Sequence, residues 1–144
     1  DEEAQLHFAH SFDFRFQTRK KRQVCILREG FEEKFDELLI RRIKVGDDHL
    51  TVSVVKHVNQ LDSGLTIYYR APLRLLHKFL SPEESKICVK DFESMKEEGM
   101  HAFGIAKHVV EPEDALEFLR IINENMSAGK NTFNQNDRFL LNLA

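Results

Sequence analysis

Apolar residues along this chain repeat at two different periods, and the changes of period divide it into elements. Leu6, Phe8, Phe12, Phe14 and Phe16 fall on even positions, interrupted at His10, with Gln5, His7, Ser11, Asp13, Arg15 and Gln17 between them. A period of two over this length predicts a half-buried strand, long or bent midway, behind an acidic end at residues 1–5. Val24, Cys25, Ile26 and Leu27 are apolar on both faces, as in a central strand. Together these segments read as an antiparallel hairpin with its tip near residues 18–22. No Asn-Gly or Gly-Gly pair is present there, which predicts a loop longer than two residues.

After Gly30 the period changes. Phe31, Phe35, Leu38, Leu39 and Ile43 recur at helical spacing, with acidic residues toward the start and Arg41 and Arg42 near the end. That arrangement suits a helix dipole and predicts a helix over Phe31–Lys44, capped by Gly46. Leu50, Val52 and Val54, then Leu65, Ile67 and Tyr69, return to a period of two. The Asn-Gln-Leu-Asp-Ser-Gly stretch between them is turn-like, so a second hairpin is expected. A short helix through Leu73, Leu75, Leu76, Phe79 and Leu80 follows Pro72.

Ser81-Pro82-Glu83-Glu84 is a helix start: Ser caps, Pro fits the first helical position, and Glu84 completes a capping box. Cys88, Phe92 and Met95 would face inward from that helix. Met100–Val110 reads as a strand with Phe103, Ile105 and Val109 on one face and the small residues Ala102, Gly104 and Ala106 on the other. Small residues in a row admit a close neighbour. A final amphipathic helix then begins at Pro112, with Ala115, Leu116, Phe118, Leu119, Ile122 and Met126 inward. The expected order is β-β-α-β-β-α-α-β-α. The fold class is α+β: a mainly antiparallel sheet from two hairpins plus a later strand, with helices packed on one face. Residues 1–126 would form one domain, and residues 127–144 a polar linker and an apolar C-terminal tail.

Composition narrows the functions. A length of 144 residues suits one domain with a sizeable core. The formal charge is −3 even with the basic run Arg19-Lys20-Lys21-Arg22, which argues against a general nucleic-acid binder. Two cysteines in apolar surroundings, Cys25 and Cys88, fit reduced core residues of an intracellular protein, cytoplasmic or nuclear. No apolar run reaches the roughly 18–20 residues of a transmembrane segment. The chain begins with Asp and carries no charged-then-apolar leader, so a piece of a longer or processed protein is expected.

Motifs for chemistry are scarce. The seven histidines lack a metal-site spacing, and His7 and His10 would face opposite ways on a regular strand. No Gly-x-Ser-x-Gly is present. Residues 128–132 resemble a phosphate loop only faintly, lacking its first Gly and following a helix. No catalytic residue, cofactor or metal is expected. Two surfaces stand out instead. The tail residues Phe133, Phe139, Leu140, Leu141 and Leu143 would expose an apolar patch that a lone domain rarely tolerates. They point to a non-catalytic protein–protein interaction domain, binding a protein partner or a second copy through the tail and an open sheet edge. The alternative is a phosphate-ligand module, for phosphoinositide or nucleic acid, using Arg15, Arg19, Lys20, Lys21 and Arg22 at the hairpin tip. The plain reading of that run is a solvated turn whose charges discourage edge pairing.

Overall fold

The structure is a computed structural model describing residues 2–58, 64–77, 80–100 and 102–127. Its elements are α1 (Glu2–Ser11), β1 (Phe14–Lys20), β2 (Gln23–Arg28), β3 (Phe31–Val45), β4 (Asp48–His57), β5 (Leu65–Pro72), α2 (Leu73–Leu76), α3 (Pro82–Glu97), β6 (Phe103–Val110) and α4 (Pro112–Ser127). The strands form one six-stranded antiparallel sheet in the order β1-β2-β3-β4-β5-β6. The α+β class stands, but the sheet is one continuous meander that absorbs both expected hairpins and gains β3 between them.

Phe31–Lys44 is the main correction. It is not a helix but most of β3, the longest strand, paired to β2 on one side and β4 on the other. The cause is a bulge. Register slips between Glu37 and Leu39, so Leu38 is an inserted residue. Leu38 and Leu39 therefore both turn to the core. Before the bulge Phe35 lies on the opposite face, opposite His57, and after it Ile43 lies on the core face, opposite Leu50. One inserted residue converts a period of two into an apparent spacing of three and four. Turn chemistry supports the strand as well. Glu29 and Gly30 both have positive φ, 50° and 86°, as a two-residue hairpin turn of the twisted kind requires. Gly46, at φ 62°, is the first residue of the next tight turn rather than a helix cap.

The N-terminal expectation also changes. Residues 2–11 are helical, and the strand starts only at Phe14. Phe8 and Phe12 meet edge-to-face at 5.0 Å, a pairing the four-residue helical spacing provides. Asp13, at φ 60°, turns the chain from helix to strand. The β1–β2 loop is shorter than expected: Lys20 pairs with Gln23, leaving Lys21 and Arg22 as the turn, with Lys21 at φ 55°.

The core lies on one face of the sheet. Ile43, Leu50, Val52, Val54, Leu65, Ile67 and Tyr69 are fully buried there. Leu75 and Leu76 of α2 and Ala115 and Phe118 of α4 cover them. Removing each such side chain from water contributes about 1.5–3 kcal/mol. The small face of β6 has the expected use, since a Cβ at Gly104 would come within 2.5 Å of Leu76 Cδ2. The capping box of α3 is formed: Glu84 N–H donates to Ser81 Oγ at 3.3 Å, and Ser81 N–H donates to Glu84 Oε2 at 3.1 Å. Yet α3 buries no residue; Cys88 and Phe92 are half-buried and Met95 is exposed. No described helix is long and apolar enough to cross a membrane.

Candidate functional site

Cross-strand pairing fixes which side chains share the sheet's other face, the one α2 and α4 leave open. Rows of cross-strand partners run over it. Ile40, Ser53, Tyr68 and Lys107 are successive partners on β3 to β6, and so are Arg42, Thr51, Arg70 and Ile105. Toward the β1 side, Phe14, Arg28 and Phe31 form a third row. Large apolar groups on this face are exposed: Phe31 at 75%, Ile105 at 63% and Phe16 at 52%, with Ile40, Phe103 and Val109 similar. A sheet face this apolar is unusual for a surface that meets only water.

Charge on the face is one-sided. Its acids, Glu33 and Glu37, are both paired, Glu33 to Arg28 at 3.8 Å and Glu37 to Arg19. Arg28 also lies over the Phe14 ring at 5.3 Å. Arg42, Lys44, Arg70 and Lys107 share the face and form no ion pair with a described residue. Arg70 rests on the Phe103 ring at 4.4 Å, a contact that orients its guanidinium.

Two concavities mark the face. One, of about 470 Å³, is lined by Phe35, Val55, His57, Thr66 and Tyr68, with the Phe35 and His57 rings edge-to-face at 4.8 Å. The other, of about 550 Å³, is lined by Ile40, Arg42, His49, Thr51, Arg70 and Phe103. No acidic side chain lines this second basin.

The basic residues singled out in the sequence are not brought together. Register puts Arg19 on the open face, where Glu37 takes it, and puts Arg15 and Lys20 on the opposite face. Arg15 lies 3.6 Å from Asp13. Lys21 and Arg22 form the turn, and the Arg22 carbonyl accepts the Glu37 N–H at 2.7 Å. The tail residues Phe133, Phe139, Leu140, Leu141 and Leu143 lie outside the described residues. Arg42, Thr51 and Arg70 went unselected because they are scattered in sequence and Arg42 was assigned to a helix. The alternation that put Phe103, Ile105 and Val109 on one face of β6 was the available signal.

A further cleft, of about 460 Å³, lies between α3 and β6, with Tyr69, Leu76, Glu84, Cys88 and His108 in its lining. These groups are neighbours without a shared task. The Glu84 carboxylate accepts from Ser81, which holds its pKa below the ordinary glutamate range. No hydrogen bond joins Cys88 to His108 among the described residues. Burial pushes the Tyr69 phenol up to about 12. His7 and His10, expected on opposite strand faces, instead lie about one turn apart on α1 and line a recess with Leu6 and Phe14. The described residues contain no cluster of three or more His, Cys, Asp or Glu able to hold a metal ion. The chain matches no protein-family model, and comparison with curated proteins finds no match.

Proposed function

We propose that this chain is a non-catalytic binding module whose partner is another polypeptide lying across the open face of the sheet. The observation that carries this reading is the set of exposed apolar groups on that face, where the pairing puts Phe16, Phe31, Ile40, Phe103, Ile105 and Val109 on the same side of the sheet. Mixed aliphatic and aromatic side chains favour polypeptide, since a base-stacking platform relies on aromatic rings. The unpaired cations oppose a face-to-face dimer, because two copies would juxtapose like charge. They favour a partner of acidic character. The expected tail contact remains compatible as a second point of attachment. The free thiols of Cys25 and Cys88 support an intracellular setting.

A photoreactive residue introduced in cells at Ile105, at Phe16 or, as control, at Glu93 on α3 tests the reading. Adducts from the first two positions should be protease-sensitive, nuclease-resistant and weakened by Arg42→Glu, and the control should give none. Equal adducts from all three positions, or nuclease-sensitive ones, would overturn it. A product of twice the chain's own mass would make the partner a second copy and defeat the charge argument.

A further inference from the structure

We infer that the open face contains an oxyanion subsite, built by Arg42, Thr51 and Arg70, that receives a phosphorylated side chain of the bound polypeptide. The inference rests on reading the open face as a polypeptide-docking surface. Thr51 pairs with Arg42 on one side and Arg70 on the other, so the three stand in one row across β3, β4 and β5. Two strand spacings separate the arginine Cα atoms, roughly 10 Å. Both side chains line the same 550 Å³ basin, and Thr51 lines it between them. Lys44 is paired with His49 at the end of the same face and adds a third cation.

Nothing acidic among the described residues balances this group. Asp48 follows Lys44 across the turn but lies on the core face, opposite Val45, and Arg74 grips it with two hydrogen bonds of 2.5 and 2.8 Å. Arg42 and Arg70 flank Thr51 with no carboxylate between them, so a ligand anion seated over Thr51 is reached from both sides. A carboxylate supplies one negative charge. A phosphate monoester carries about −1.5 to −2 and three strong acceptor oxygens. Two guanidinium forks, a hydroxyl donor and a nearby ammonium match the latter. The Phe103 ring beneath Arg70 occupies its flat side and leaves its N–H edge for a ligand. Ile40, Pro72 and Phe103 form an apolar lip against which the carbon part of a phosphorylated side chain packs.

Titration of the isotope-labelled chain with phenyl phosphate, benzoate, inorganic phosphate and a ten-residue oligo-dT, followed by amide and arginine Nε resonances, tests this. Phenyl phosphate should shift Arg42, Thr51, Arg70 and Phe103, and should bind more tightly than benzoate or inorganic phosphate. Arg42→Gln or Arg70→Gln should each weaken it about tenfold, the loss expected for a charge-assisted hydrogen bond. Arg70→Lys should recover part of that loss, and Lys20→Gln with Lys21→Gln should change nothing. Shifts centred on Lys20–Arg22, equal binding of benzoate, or an unaffected Arg42→Gln variant would overturn the subsite. Tighter binding by oligo-dT over the whole face would replace the phosphorylated polypeptide with single-stranded nucleic acid. The two readings fail separately. Polypeptide adducts at Ile105 without phenyl phosphate binding leave the docking face standing, and the converse removes the docking face.

Discussion

Gly64 and Gly104 lie at opposite ends of the β5–β6 pair and should respond very differently to the same added methyl group. A Cβ at Gly64 would fall 1.8 Å from the Val110 carbonyl oxygen, which is backbone in a paired strand. To restore ordinary contact the two backbones must part by more than ~1 Å, against the Leu65–Val110 pairing and the buried Leu65. Gly64→Ala should therefore cost about 3 kcal/mol, the upper part of the overpacking range. At Gly104 the obstacle is Leu76 Cδ2 at 2.5 Å, the far end of a flexible side chain. Moving it costs about 1 kcal/mol in a tight core. Replacing a strand glycine returns roughly 0.5–1 kcal/mol of that. Gly104→Ala should stay within about 1 kcal/mol of the parent. Urea unfolding followed by circular dichroism measures both. With a slope of about 1–3 kcal/mol/M, Gly64→Ala should lower the midpoint by 1 M or more at an unchanged slope. If the two variants unfold together, or Gly64→Ala unfolds with the parent, the close approach of Gly64 to Val110 is wrong.

Three further outcomes concern the core and the cap of α3. Phe118→Ala should cost about 3–5 kcal/mol because the ring is buried under the sheet, whereas Leu116→Ala, two residues away and 78% exposed, should lie within about 0.5 kcal/mol of zero; thermal melts separate them. Ser81→Ala should loosen α3 by about 1 kcal/mol, seen as roughly fivefold faster amide exchange in its first turns with the global midpoint unmoved, since α3 buries nothing. The Ser81 hydroxyl is also the main cause of Glu84's lowered pKa, so the cap's contribution is complete above pH 4.5 and fades as pH falls below it; the same exchange experiment in acid checks this. Burial raises the Tyr69 phenol from 10 to about 12, so the folded state holds a proton the unfolded chain releases. Stability should then fall as pH rises from 10 toward 12, by on the order of 2–3 kcal/mol, and Tyr69→Phe should flatten that fall.

The legible parts of the fold were those where local pattern and tertiary burial agree. Leu50, Val52 and Val54 and then Leu65, Ile67 and Tyr69 alternate because one face of each strand is buried, and the β4–β5 pair follows. Ser81 and Glu84 announced α3 because capping is a local interaction. The β3 strand was opaque because its bulge is stabilised by partners on both sides, β2 and β4, that a local window cannot see. With Phe31–Lys44 taken as a helix, Arg42 had no strand neighbours and could not be placed beside Thr51 and Arg70. Contiguity drew attention to Arg19–Arg22 instead, yet a strand sends successive side chains to opposite faces, and Arg19 and Lys20 duly part company.

Charge, like strand pairing, is distributed by the fold in a way a total does not reveal. A formal charge of −3 argues against a general nucleic-acid binder and leaves room for a local basic patch. The fold separates the charges that make up that total. Glu113, Asp114, Glu117 and Glu124 sit on α4 against a single Arg120, which bridges Glu117 at 2.6 Å and Glu124 at 2.7 Å. Arg42, Lys44, Arg70 and Lys107 sit on the open sheet face beyond the core. Net charge describes the field well outside the molecule. A ligand within about 8 Å of the surface, one Debye length in physiological salt, responds to the nearest face. The acidic helices then act on an anion as an orienting influence, repelling it from α4 and leaving the sheet as the favourable approach. On this account, neutralising the α4 acids should weaken the preference for the sheet face without adding a contact there, whereas Arg42→Gln should remove a contact. The first change belongs to the association rate and its salt dependence, the second to dissociation.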